Sequence, residues 1–415
     1  MTNGPGRPRA RMAAGAAALV ISPFLLGACG GTPAETATAS GTGPVTLTAM
    51  DYYNTEPALS ALPKLLDTCG AQAGVKIERQ VVPDLRTKLL QLAGGHAIPD
   101  LVLLDNPDLQ QLAATGALAD LGAAGLKTDG FYDNIVAAGR YEGRLYGLAP
   151  GVNALALFYD KKLFASAGLK PPTTWDELKA AATKLTDGTK RHGLGFAVPA
   201  TEEGSFQFEA FFLSAGADLA TLNSPEAVSA LGLLSDLVTS GAAPKDVLSW
   251  TQANVEEQFA NGGLAMMVNG PWQIPQLVKA GVTGFGIVPM PVPEAGGTPS
   301  SPLGGEVWAA GNNGPKAVKA AAVIKCLTST ENSLTWSKLT NYVPSGKEAA
   351  ARLGASDPRM KTFVDLIAGA KGRTAELGAK YPAYSQALWT AVQSALSGQN
   401  PPKAALDAAQ RQAAG

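Results

Sequence analysis

Apolar and polar residues alternate with period two over residues 45–50 (VTLTAM) and again over 75–81 (VKIERQV), the spacing of half-buried strands. Between them, residues 59–73 carry apolar side chains at helical spacing, and 84–92 and 108–115 do the same. Residues 99–104 form a short apolar run suited to a strand covered on both faces. This strand–helix alternation predicts a mainly parallel, three-layer α/β unit. Further strands are predicted at 155–159, 195–198, 264–268, 285–288 and 307–310, and helices at 206–214, 225–239 and 255–260. Thr174-Trp175-Asp176-Glu177 fits a capping box opening a helix in which Leu178, Ala181, Ala182 and Leu185 recur on one face. The Gly/Ser/Pro-rich stretch 296–305 reads as a loop, and helices dominate from Pro315 onward.

The first 44 residues follow a different logic. Arg7, Arg9 and Arg11 precede an apolar run from Met12 to Ala28 that Ser22 and Pro23 interrupt. It is short for a spanning helix of about 20 residues. It ends in Leu26-Gly27-Ala28-Cys29, which looks like a bacterial lipobox, with 1–28 a removable signal peptide and Cys29 the lipidated new N-terminus. Acyl chains contribute about 0.8 kcal/mol per buried CH₂, so several on one cysteine anchor a protein without a transmembrane helix. Residues 29–44, small and polar, read as the lipidated cysteine and a flexible tether. The expected location is the outer face of the cell membrane.

Composition narrows the chemistry. With 33 Lys+Arg against 34 Asp+Glu in 415 residues, the chain lacks the positive charge that nucleic-acid binding requires. Two histidines and three cysteines leave little for a zinc site or imidazole catalysis, and neither a phosphate-binding loop nor a nucleophile elbow occurs. No cofactor, metal or catalytic residue is expected. Outside the cytoplasm Cys69 and Cys326 either pair or remain separate buried thiols.

Three blocks carry a resemblance: 140–178 (RYEGRLYGLAPGVNALALFYDKKL, then LFASAGLKPPTTWDEL), 255–277 (VEEQFANGGLAMMVNGPWQIPQL) and 302–332 (PLGGEVWAAGNNGPKAVKAAAVIKCLTSTEN). Together they resemble the extracellular solute-binding proteins of the maltose-binding type (family 1), which deliver sugars to ATP-binding cassette (ABC) importers and are lipid-tethered in Gram-positive bacteria. The resemblance implies a two-lobe periplasmic-binding-protein-like α/β fold (type II) with ligand in the interlobe cleft. The first lobe would be 45–152 plus 287–330 and the second 153–286 plus 331–415. Cys69 and Cys326 would then share the first lobe, which favours a disulfide. The implied partners are a mono- or oligosaccharide and the permease subunits, with a monomer as the default state.

A sugar offers hydroxyl edges and apolar C–H faces, so its site needs hydrogen-bonding amides and carboxylates together with aromatic rings. Trp272, in Asn269-Gly270-Pro271-Trp272, stands where the family's cleft tryptophan stacks on sugar. Asn153 stands where maltose-type members carry a glutamate. Tyr53 and Asn54 follow the first strand, and Asp105 ends another, at strand carboxyl ends where open α/β sheets place ligands. Gly305 and Glu306 belong to the family's Gly-Gly turn. Phe206 and Gln207 open a helix expected to line the second lobe, and Tyr384 lies near the family's C-terminal aromatic contact. Trp308 is expected in the lobe interior and Arg373 in solvent. These aromatics, amides and isolated acids suit a neutral polyhydroxyl ligand. A sugar phosphate would call for several inward cations, and a polyamine for several acids around an aromatic box. A receptor for a polyol phosphate, polyamine or metal chelate is the alternative, and a glycan hydrolase, with paired carboxyls across one pocket, a more distant one.

Overall fold

The computed structural model describes residues 45–188 and 190–414, so the signal segment, Cys29 and the tether lie outside the described residues. Nine strands carry the architecture: β1 (Val45–Asp51), β2 (Val75–Val81), β3 (Leu101–Asp105), β4 (Gly147–Leu148), β5 (Ala156–Asp160), β6 (His192–Gly195), β7 (Leu264–Asn269), β8 (Phe285–Val288) and β9 (Glu306–Ala310). They form two separate sheets, ordered β2-β1-β3-β9-β4 and β8-β5-β7-β6.

In the first sheet β2, β1 and β3 run parallel, whereas β9 returns antiparallel to both β3 and β4. The expected mainly parallel sheet is therefore mixed, because β9 enters from the other half of the chain rather than through a local helical crossover. β3 and β9 are covered on both faces, which explains the apolar runs 101–104 and 307–310 within them. The second sheet is antiparallel except for β6 beside β7. Helix Trp175–Leu185 carries the capping box on Thr174 and Glu177 and buries the face formed by Trp175, Leu178, Ala181, Ala182 and Leu185.

The chain passes between the sheets more than once, and its crossing segments pair with each other. Gly151–Val152 pairs with Val343–Pro344, and Asn153 bridges Gly304. Two boundaries differ from expectation. β8 carries the second sheet through Val288, beyond the expected return at 287. Helix Thr330–Thr340 stays with the first sheet's core, where Trp336 packs, and not with the second half, which the resemblance implies resumes at 331. A disulfide joins Cys69 to Cys326, Cα–Cα 5.5 Å, tying helix Ala58–Ala73 to helix Pro315–Leu327. Trp308 is buried in the same core. Among the described residues no helix is long and apolar enough to cross a membrane.

Candidate functional site

The antiparallel register of β3 and β9 sets Glu306 directly opposite Asp105. Two carboxylates side by side across a strand pair repel, so each needs its own partner. Their partners build the site.

Glu306 is held by tyrosines. Asp51, fully buried at the end of β1, pairs bidentately with Arg79 from β2 (Nε–Oδ2 2.6 Å, Nη2–Oδ1 2.7 Å). The same aspartate accepts the backbone N–H of Tyr53 at 2.9 Å, and Arg79 donates to the Tyr53 carbonyl at 2.8 Å. This clamp turns the chain after β1 and aims two phenols at Glu306. The Tyr53 hydroxyl donates to Oε2 at 2.7 Å, and that of Tyr52 donates to Oε1. Tyr342, arriving from the C-terminal part of the chain, reaches Oε1 at 3.4 Å. Burial pushes the Glu306 carboxyl pKa up; the Tyr52 hydroxyl opposes this and the Asp105 charge adds to it. Burial, and next the Glu306 charge, drive all three phenols well above their ordinary value, so they remain donors.

Asp105 is held by Arg373. The guanidinium is buried, not in solvent as expected. It donates to Asp105 Oδ1 at 2.7 Å, to Glu202 Oε1 at 2.7 Å and to the Leu303 carbonyl at 3.3 Å, and lies 4.9 Å from the centroid of the Phe206 ring. Burial alone would pull its pKa down, but Asp105, Tyr381 and the neighbouring glutamates outweigh this and hold it charged. Since Asp105 ends a strand of the first sheet and Glu202 opens the helix Glu202–Ser214 beside the second, Arg373 straps the two halves together. Behind it, the Tyr381 hydroxyl lies 2.6 Å from Glu202 Oε1 and 2.8 Å from Glu209 Oε1. One hydroxyl hydrogen cannot serve both. The consistent arrangement is donation to Glu202 and acceptance from a protonated Glu209, whose pKa burial and then the Glu202 charge raise to about 8.

The remaining wall is aromatic. β7 ends at Asn269, and Trp272 turns back over Gly270, where an added Cβ would meet the indole ring at 1.8 Å. Trp272 stacks obliquely near Phe206 (centroids 6.4 Å, 36°) and edge-on to Tyr342 (6.3 Å, 71°). Asn153 faces Gly304, where a Cβ would lie 2.0 Å from Asn153 Oδ1, and Gly305 holds φ +105°, a conformation that favours glycine. These two glycines let the crossing segments touch.

The result is a cavity of about 450 Å³ lined by Tyr52, Asp105, Asn153, Phe206, Trp272, Gly305, Glu306, Arg373 and neighbours. It continues into a cavity of about 500 Å³ toward Arg86 and Asp108, and one of about 680 Å³ toward Tyr53 and Gln276, making one long groove. Of the residues nominated from sequence, Asp105, Asn153, Phe206, Trp272, Gly305 and Glu306 meet in the central cavity, and Tyr53 lines an adjoining one. Three do not join the groove. Asn54 is exposed beyond the turn that Asp51 fixes. Gln207 is fully buried with its Oε1 toward the backbone N–H of Ala197, because one residue along a helix turns the side chain about 100° away from Phe206. Tyr384 packs on the second-sheet core, and Tyr381, one turn earlier, reaches the carboxylates instead. Sequence reasoning missed Tyr52, Glu202, Glu203, Tyr342 and Arg373. Only Glu202 left a signal, since 202, 206 and 209 recur on one helix face.

Two mixed sheets meeting at such a groove define a two-lobe binding protein. The chain belongs to the bacterial extracellular solute-binding protein family, whose model matches residues 64–363. A putative binding protein of Brucella abortus is 27% identical over 251 residues, covering 57% of this chain and 60% of the relative, so the match spans about three fifths of that relative's length. The galactooligosaccharide-binding protein of Bacillus subtilis is 25% identical over 340 residues, 76% of each chain. The crystal structure of the cyclic alpha-maltosyl-1,6-maltose binding protein from Arthrobacter globiformis matches with a TM-score of 0.76 at 29% identity, covering 89% of this chain and 98% of that one.

Proposed function

We propose that this chain is a substrate-binding protein that captures a carbohydrate outside the cell and hands it to the permease of an ABC importer, without catalysis. The observation that carries the reading is the central cavity itself. The Trp272 and Phe206 rings, 6.4 Å apart, offer apolar faces beside Asn153 and Glu306, which offer hydrogen bonds. A saccharide has that same division between C–H face and hydroxyl edge. The galactooligosaccharide and cyclic maltosyl-maltose named for two relatives point the same way.

The first lobe takes 45–152 and resumes near Pro302, and the second takes 153–288 and resumes near Asn341. The crossings at 151–153, 303–305 and 342–344 form the hinge. Ligand touching both lobes favours the closed form by the contacts it makes only there. Lipidation at Cys29 and the tether to residue 44 keep the receptor, as a monomer, near its permease.

A thermal-shift screen of mono- and oligosaccharides tests this. A true ligand at 100 times its Kd raises stability by about 2.7 kcal/mol. A flat response to every saccharide with a shift for a polyol phosphate, or cleavage of an oligosaccharide during incubation, would overturn the reading. For the anchor, Cys29→Ser should move the protein from the membrane fraction to the medium.

A further inference from the structure

The groove is more acidic than a neutral polyhydroxyl ligand requires. The walls of the central cavity and of its neighbour toward Arg86 carry the carboxyls of Asp84, Asp105, Asp108, Glu202, Glu203 and Glu306. Against these stand the guanidiniums of Arg86 and Arg373 and, among the described residues, no lysine. Both guanidiniums are engaged, Arg86 with Asp108 at 2.7 Å and Arg373 with Asp105 and Glu202. The whole chain balances 33 cations against 34 anions, so the excess is local. The acids are not isolated, as their spacing in sequence suggested; the fold gathers them.

Glu203 occupies the centre of this excess. It lines all three connected cavities. Its Oε1 accepts the backbone N–H of Gln252 at 2.6 Å, and among the described residues no Lys, Arg or His forms an ion pair with it. A second, independent group points to a donor ligand. Asn153 lines the central cavity, is 4% exposed, and its Oδ1 has no hydrogen-bond partner. A buried acceptor left unpaired is costly until something donates to it. Of the donors lining the same cavity, the Tyr52 hydroxyl is spent on Glu306 and the Arg373 N–H groups on carboxylates and a carbonyl, while the Tyr342 hydroxyl reaches Glu306 at 3.4 Å.

Resting on the saccharide reading above, we infer that the solute is a cationic saccharide, one in which a basic amine replaces a hydroxyl and its ammonium is held by Glu203. An ammonium supplies three donors and a charge that the partly desolvated groove attracts. A sugar phosphate would meet repulsion from the carboxylates and find no unengaged cation. Glu203 thereby sets specificity, while Trp272 and Asn153 serve any sugar ring.

Isothermal titration of the mature chain with matched neutral, aminated and N-acetylated disaccharides (α-1,4-glucose, β-1,4-glucose and β-1,4-galactose series) tests this, because acetylation keeps the nitrogen and removes the charge. The aminated member of one series should bind at least tenfold tighter than its neutral and acetylated partners, and lose affinity between 20 and 200 mM NaCl. Glu203→Gln, which still accepts from Gln252, should abolish that preference, so that the aminated and neutral members bind within about twofold of each other, with the circular dichroism spectrum unchanged. Neutral sugars binding as tightly as aminated ones, or a preference that survives in Glu203→Gln, would overturn the inference and leave the saccharide reading standing. Binding of spermidine with no response to any saccharide would overturn both, as would no response to any probe.

Discussion

Replacing Arg373 by methionine tests whether one buried guanidinium holds the halves of the groove together. Methionine keeps much of the stem's volume and is flexible, so packing loss is small. What disappears is the bond to Asp105, the bond to Glu202, the bond to the Leu303 carbonyl and the contact with the Phe206 ring. Removing one partner of a buried ion pair costs about 3–5 kcal/mol, because the other charge is stranded. Here the Arg373 side chain is 2% exposed, but those of Asp105 and Glu202 remain 32% and 34% exposed, so water recovers part of the loss. We expect a net cost of roughly 2–3 kcal/mol, read as a fall in ΔG of unfolding from urea titrations followed by tryptophan fluorescence. The deficit should grow as pH rises. Burial already raises the pKa of Glu202, the cation only partly offsets this, and its removal pushes that pKa further up. A carboxyl with a raised folded pKa loses stability as pH climbs from its unfolded value toward the folded one. Adding Asp105→Asn and Glu202→Gln to the variant should recover more than about 1 kcal/mol, since the stranded charges are gone. A loss below about 1 kcal/mol, or no recovery in the triple variant, would refute the strap.

Trp272→Ala should weaken saccharide binding by about 10- to 100-fold, about 1.4–2.8 kcal/mol, with little change in Tm, as titration calorimetry and a melt would show. Glu209→Gln should flatten the pH dependence of stability. With a folded pKa of about 8, the wild-type carboxyl favours the folded state below its unfolded value and loses that contribution, on the order of 4 kcal/mol, as pH rises to about 8. Urea titrations at pH 5, 6.5 and 8 that stay parallel for the two proteins would refute the protonated state. Replacing Cys69 and Cys326 by serine should cost about 2–5 kcal/mol, and dithiothreitol should lower wild-type stability by a similar amount while leaving the double variant unaffected.

Much of this protein follows from local rules. Period-two runs such as VKIERQV can bury one face only as strands, and Thr174 with Glu177 satisfies the orphan N–H groups of a helix start wherever that helix lies. Family motifs located the turn at Gly305-Glu306 and the tryptophan after β7, since both are contiguous in the chain. The electrostatics of the groove were not contiguous. Glu306 opposes Asp105 only through a strand register between residues about 200 positions apart, and Arg373 looks like a solvent-facing cation until the fold seals it between Asp105 and Glu202. A charge's role depends on which other charges and how much water surround it, and those are set by tertiary packing. The pattern along the chain marked most strands and helices, and the family motifs marked the two-lobe plan with Trp272 and Phe206; the tertiary structure set the strand expected at 195–198 at His192–Gly195, brought Tyr342 to the aromatic wall and decided that the acids converge, because convergence depends on distance in space and periodicity records only distance along the chain.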